Sequence, residues 1–264
     1  MSFSGLKQML GEFTPRIARR AAVRLGAFYE RFEQHSRPIR FPSQEGAFHT
    51  LKKHGWSPKS CIDVGAYHGE WAAMFLDIFP ESRVLMLEAQ EGKRGALEES
   101  TARSGGRTSL AIALLGAVDG QEVEFAEMET GSSVYSEASP FARTVVRKPL
   151  TTLDRLLADW PAFAAPQCLK LDTQGYELEV LKGASRTLRH ADAVLMEVSL
   201  LQVNAGCPTF AEVISFMNDA GFTVFDFCSQ IRRRDGVLWQ TDLLFVRRAG
   251  GIQIDPRLTH ANWG

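Results

Sequence analysis

The chain of 264 residues has only four cysteines, Cys61, Cys168, Cys207 and Cys228, and no C-x-x-C pair among them. Dithiol redox chemistry therefore has no motif to rest on. Cys61, Cys168 and Cys228 sit in apolar, strand-like runs, the usual setting of a reduced, buried thiol. A cytoplasmic compartment is expected. No uninterrupted apolar segment reaches the roughly 18 residues that span a bilayer. The first residues also lack the compact apolar block of a secretory leader, so neither a span nor a leader is expected. The net charge is only −1, which offers no general field for nucleic acid, and no nucleic-acid partner is expected. No internal repeat or low-complexity tract interrupts the chain. The hydrophobic share of 45% and charged share of 23% are those of an ordinary globular protein, which argues against disorder.

The small net charge hides an uneven distribution. Residues 1–40 hold eight Lys/Arg against three Glu, a net of +5, and the remainder carries −6. Within residues 3–34 two amphipathic helices are expected. Phe3, Leu6, Leu10 and Phe13 share one stripe, continued by Ile17, Ala21, Leu25, Phe28 and Phe32. Thr14 and Pro15 divide them as an N-cap followed by a proline at the first helical position. Arg16, Arg19, Arg20, Arg24 and Arg31 occupy the opposite face. Packing on the rest of the chain or on another subunit of a homo-oligomer is favoured over peripheral contact with an anionic membrane. Residues 1–58 then form a helical extension and connector, with a helix over residues 45–54. A main domain follows over 59–250 and a tail over 251–264.

The main domain is organised around S-C-I-D-V-G-A-Y-H-G-E-W, from Ser60 to Trp71. Cys61, Ile62 and Val64 make an apolar run too short for a helix, and Gly65 ends it, so it reads as a buried parallel strand. After Gly69 the spacing becomes helical, with Trp71, Phe75 and Ile78 on one face and Pro80 closing the segment. A strand, a glycine turn and a helix place a small ligand beyond the carboxyl ends of an open α/β sheet. Pyrophosphate sites want G-x-G-x-x-G and a bare helix N-terminus. Here Ala66, Tyr67 and His68 fill D-x-G-x-x-x-G, and Glu70 puts an anion into the first helical turn. A cofactor carrying an ammonium or sulfonium suits this turn better. Glu88 ends the next apolar run nineteen residues past Gly69, placed to accept hydrogen bonds from ribose hydroxyls.

Together these residues resemble the glycine-rich and acidic motifs of class I S-adenosylmethionine-dependent methyltransferases. The resemblance implies a Rossmann-like, mostly parallel α/β sheet ending in an antiparallel hairpin. It also implies cofactor binding by Asp63, Gly65, Ala66, Tyr67, Gly69, Glu88, Ala89 and Leu115, the last just beyond a third strand over residues 109–114. Asp119-Gly120 is a hairpin signal joining that strand to residues 122–126. Further strands are expected over 145–148, 167–172, 193–198, 222–228 and 242–247, with helices from Thr151, after Gly175 and over 210–220. A hairpin turn is expected at Asp235-Gly236.

The stretch L-K-L-D-T-Q-G-Y-E-L-E-V-L-K-G-A, Leu169 to Ala184, is very similar to a signature of the FkbM-type methyltransferases. Gly131-Ser132-Ser133, Thr152-Leu153-Asp154, Met196-Glu197-Val198 and a D-L-L-F run from Asp242 to Phe245 match the same family in order. Gln174 departs from it, standing where the family usually has Glu. The family implies methyl transfer from S-adenosylmethionine to a hydroxyl of a sugar, glycolipid or secondary metabolite. Asp172, Glu197 and His68 each sit at the carboxyl end of an expected strand, on the ligand side. Asp172 is the preferred group beside the acceptor oxygen, Glu197 stands even between roles, and His68 reads as a ligand-wall residue. Lys170 shares a strand face with Cys168 and Asp172, and needs a partner if buried. Glu197 on a neighbouring strand is one reading of that partner. The other has Lys170 supporting Asp172 or Glu197 in catalysis. Magnesium would find oxygen ligands in Asp172, Glu197 and Asn204, but without clustered spacing a metal-free site is favoured. The Asn/Asp-Pro-Pro-Tyr motif of nucleic-acid adenine methyltransferases is absent. Arg232-Arg233-Arg234 reads as a solvated edge beside a turn. The alternative class of function is a non-catalytic binding module recruited to a membrane or partner by the basic helices. The intact Asp63, Gly65, Gly69 and Glu88 argue against it.

Overall fold

The computed structural model describes residues 42–252, apart from Thr130, 136–141 and Val203, and also Arg257. The helices expected over residues 3–34 lie outside the described residues, as does most of the C-terminal tail. One compact unit spans Pro42–Ile254. It runs α1 (Gln44–Lys53), β1 (Ser60–Val64), α2 (Glu70–Ile78), β2 (Arg83–Glu88), α3 (Arg94–Arg103), β3 (Thr108–Ile112) and β4 (Leu114–Leu115). Next come β5 (Glu122–Glu127), β6 (Thr144–Thr151), α4 (Leu153–Leu156), β7 (Cys168–Leu171), α5 (Glu177–Lys182) and α6 (Ser185–Leu188). The last elements are β8 (Ala193–Ser199), α7 (Phe210–Asp219), β9 (Phe222–Phe227), β10 (Ile231–Arg232) and β11 (Leu238–Arg247).

The main sheet has the order β10-β11-β8-β7-β1-β2-β3, with β9 also on β11. β3, β2, β1, β7 and β8 are parallel, and β11 returns antiparallel to β8. This is the mostly parallel α/β sheet with an antiparallel C-terminal hairpin that the repeated strand–helix pattern predicts. Period-two alternation sends the side chains of each central strand into two separate cores. Ile62, Val64, Leu85, Leu87, Leu169 and Leu171 face one, with Val180 and Leu181 of α5 and Val213 and Met217 of α7. Cys61, Val84, Met86, Cys168 and Leu195 face the other, against Phe48 of α1 and Phe75 of α2. Helix α1, capped by the Ser43 side chain, thus builds part of the core through Ala47, Phe48 and Leu51.

Two turns pair differently from expectation. Asp119-Gly120 does not close a hairpin, because β5 pairs antiparallel with β6 and β4 pairs parallel with β6. β6 therefore lies between β5 and β4, while most of the run over 109–114 forms β3 in the main sheet. Asp119 instead accepts hydrogen bonds from the Thr152 backbone N–H and the Thr151 hydroxyl. Asp235-Gly236 does form a tight turn, but between β10 and the start of β11, while β9 pairs with the far half of β11.

Candidate active site

The site lies at the carboxyl ends of β1, β2, β7 and β8, where Asp63, Glu88, Lys170 and Glu197 share the sheet face of Cys61, Met86, Cys168 and Leu195. Gly65 is the pivot. Its φ is +76°, and a Cβ there would meet the Asp172 carbonyl oxygen at 2.0 Å. Only glycine lets the end of β1 pass so close to the end of β7. Tyr67, at φ 51°, then turns the chain again, and Gly69 enters α2 at φ 85°.

Glu88 is buried under that turn. One carboxylate oxygen accepts the Tyr67 backbone N–H at 2.9 Å, and the other accepts those of Ala89 and Gln90, each at 2.9 Å. Glu88 therefore holds the two loops of the cleft together. The cleft beside them has a volume of about 200 Å³. Gly65, Tyr67, Glu88, Ala89 and Leu115 line it, as does Asp172. Ala66 is buried beside the turn, its N–H donated to the Leu87 carbonyl at 3.1 Å.

Asp63 is wholly buried beneath the turn rather than in the cleft wall. Lys170, opposite it in register, brings Nζ to 3.2 Å from Asp63 Oδ1 and donates to the Gly65 carbonyl at 2.9 Å. The same ammonium stands 3.6 Å from Asp172 Oδ2. Burial alone would depress the lysine, but Asp63 and Asp172 outweigh it and hold its pKa above the ordinary range. Its ion-pair partners are thus Asp63 and Asp172, not Glu197. Glu197 accepts instead from Gln240 at 2.8 Å and from Gln174 at 3.1 Å. Burial, with the nearby Asp172 carboxylate, pushes the Glu197 carboxyl well above its usual range.

Gln174 sits at φ 55° and its side-chain amide also donates to Asp172 Oδ1 at 2.9 Å. One amide thereby bridges the carboxylates at the ends of β7 and β8. The glutamine that departs from the family signature supplies donors where a glutamate would add a third negative group. The Gln174 backbone carbonyl accepts from the Ser133 hydroxyl at 3.0 Å and from the Asn204 amide at 2.7 Å, which ties the glycine-serine segment to this loop. Glu177 supports the loop from below, accepting the backbone N–H groups of Thr173 and Gly175. His68 goes elsewhere. Its ring stacks on Tyr67 at 3.7 Å, lies 3.6 Å from Glu70, and lines a separate cavity between α2 and α3. Among the described residues no cluster of three or more His, Cys, Asp or Glu side chains has the arrangement of a metal site.

Sequence reasoning missed Tyr176, Phe125, Val134 and Glu129 in the cleft lining. Tyr176 had a signal, since it follows the same loop as Asp172. Glu129 had none, because only the fold brings it to the Tyr67 hydroxyl, which donates to it at 2.9 Å, and to the Lys93 ammonium at 2.8 Å.

A family model described as the methyltransferase FkbM domain matches residues 63–224, more than half of the chain. The chain belongs to the FkbM methyltransferase family. With that membership, the fold is that of S-adenosylmethionine-dependent methyltransferases and the chain is an enzyme of the methyltransferase class. No curated protein matches it. Among solved structures, this FkbM methyltransferase is similar to a precorrin-6y C5,15-methyltransferase from Geobacter metallireducens, at 12% identity and a TM-score of 0.45, covering 81% of this chain and 94% of that one. Cofactor-bound Rv0187 from MTB is similar at 14% identity and a TM-score of 0.48, covering 93% and 95%. An O-methyltransferase of neocarzinostatin biosynthesis, in complex with S-adenosyl-L-homocysteine and 1,4-dihydroxy-2-naphthoic acid, matches at 11% identity and a TM-score of 0.39, over 77% and 52%. No helix among the described residues is long and apolar enough to cross a membrane.

Proposed function

We propose that this chain transfers a methyl group from S-adenosylmethionine to a hydroxyl oxygen of a small molecule, such as a sugar, a glycolipid headgroup or a secondary metabolite. The observation that carries this reading is the charge of the cleft. Among the described residues its charged lining groups are the carboxylates of Glu88, Glu129 and Asp172, with Lys93 at 2.8 Å from Glu129 and Lys170 at 3.6 Å from Asp172. A cleft lined by carboxylates, with apolar walls at Val64, Leu87, Leu115 and Phe125, suits a cationic cofactor with a planar base better than a phosphate-bearing one. Glu88 and the Gly65–Tyr67 turn would hold its ribose and amino-acid parts, and Leu115 with Phe125 its base.

When bound, S-adenosylmethionine supplies an electrophilic methyl group. The protein's share is then to align an oxygen in line with it and to accept that oxygen's proton. Asp172 is the side chain placed for this. It lines the cleft and is 40% exposed, so an acceptor can reach it. Lys170 and Gln174 hold one carboxylate oxygen each, which fixes its orientation. Glu197, more deeply buried, supports Gln174 from behind.

Isothermal calorimetry with S-adenosylmethionine tests the cofactor reading. Saturable heat is expected. No heat at millimolar cofactor would favour a non-catalytic binding module.

A further inference from the structure

The described residues expose six large hydrophobic side chains, and three of them lie beside the turn of the C-terminal hairpin. Val237 is 44% exposed, Leu200 39% and Ile231 38%. They are tied to one short stretch of β11. Ile231 pairs with Gln240 and the Leu200 N–H is donated to the Trp239 carbonyl at 2.7 Å, whereas Phe227 pairs with Leu243, on the opposite sheet face from Gln240. Between Ile231 and Val237 the turn carries Arg232, Arg233 and Arg234, all exposed. Arg233 is paired with Asp235 and Arg232 donates to the Gly236 carbonyl, so both guanidinium groups are held at the turn. A solvated edge accounts for the arginines. It does not account for the apolar side chains around them, which a soluble surface has no reason to gather.

The hairpin also has a defined place beside the cleft. β11 runs antiparallel to β8, so its first residues stand at the carboxyl ends of the parallel strands. Gln240, three residues past Val237, donates to Glu197, which shares the Gln174 amide with Asp172.

We propose that this hairpin docks the enzyme on an anionic lipid surface, Ile231, Val237 and Leu200 entering the headgroup boundary while Arg232–Arg234 meet lipid phosphates. Charge complementarity selects this occupant, because a basic cluster framed by apolar side chains matches an anionic membrane interface. The acidic end of the cleft then stands on the lipid-facing side. A lipid-borne hydroxyl as methyl acceptor would follow, and that consequence alone rests on the proposed reaction.

Vesicle co-sedimentation of the full chain tests the docking without any activity assay. The probes are phosphatidylcholine vesicles with and without phosphatidylglycerol, across a range of salt. Binding to the anionic vesicles only, weakening as salt rises, is expected. The triple variant R232Q/R233Q/R234Q should bind at least about twenty-fold more weakly, as two or more membrane-facing arginines imply. I231S/V237S should also bind more weakly, even at low salt. Circular dichroism and thermal melting establish that each variant is folded. Wild-type binding retained by both folded variants would overturn the proposal, as would no binding of the wild type to anionic vesicles. A wild-type dimer dispersed by I231S/V237S would overturn it too, and assign the patch to a second copy of the chain.

Discussion

Lys170 Nζ lies 3.2 Å from Asp63 Oδ1, and the aspartate is wholly buried while the lysine is nearly so. Register makes them direct neighbours on β7 and β1. The ammonium also donates to the Gly65 carbonyl and reaches Asp172, so one cation joins the floor of the site, its glycine turn and its exposed carboxylate.

Replacing Lys170 by Met leaves Asp63 buried without a cation. Breaking a buried pair in this way costs about 3–5 kcal/mol, which denaturant unfolding would read directly. Adding Asp63→Asn should recover part of that loss, since the two residues are coupled. Full additivity of the two substitutions would mean that the pair does not interact.

Glu88→Ala removes a carboxylate that accepts three backbone N–H groups. S-adenosylmethionine binding should weaken by about 1.5–3 kcal/mol in calorimetry, and the melting temperature should fall as well. Unchanged affinity would place the ribose elsewhere.

Burial pushes the Glu177 carboxyl up from 4.5 to about 7, against the pull of backbone N–H donors from Thr173 and Gly175. A carboxyl raised on folding binds its proton more tightly in the native state. Its contribution is therefore present below pH 4.5 and is lost as the pH rises to about 7. Glu177→Gln keeps an acceptor oxygen for the loop and removes the titration. The variant should lose a fall in stability of up to about 3 kcal/mol across that window. Parallel stability–pH curves for the two proteins would contradict the assignment.

The turn at Gly65 and the acidic end of β2 were legible because each is local. An apolar run ended by glycine, and a carboxylate at the end of the next run, show without knowledge of strand order. The partner of Lys170 was not legible. β7 has a neighbour on each side, and the alternation rule puts Lys170 on a face shared with both Asp63 and Glu197. Only register shows that Lys170 stands level with Asp63 and Leu195, with Glu197 two residues further along β8. His68 misled for a related reason. Its position at a strand end is right, but Tyr67 at φ 51° starts a turn that carries the ring toward Glu70 and α2. Asp119-Gly120 announced a reversal correctly, yet turn chemistry does not say that β6 will lie between the strands it separates.

The measurement closest to the central claim is transfer of a labelled methyl group from S-adenosylmethionine to cell extract fractionated into polar, lipid and polymer pools, with wild type and Asp172→Asn side by side. The wild type should label one pool. The variant should fold and bind cofactor as the wild type does, but label that pool about 10²–10⁴-fold more slowly, the span of a lost general base. Label in no pool with the wild type, or undiminished labelling by the variant, would contradict the account.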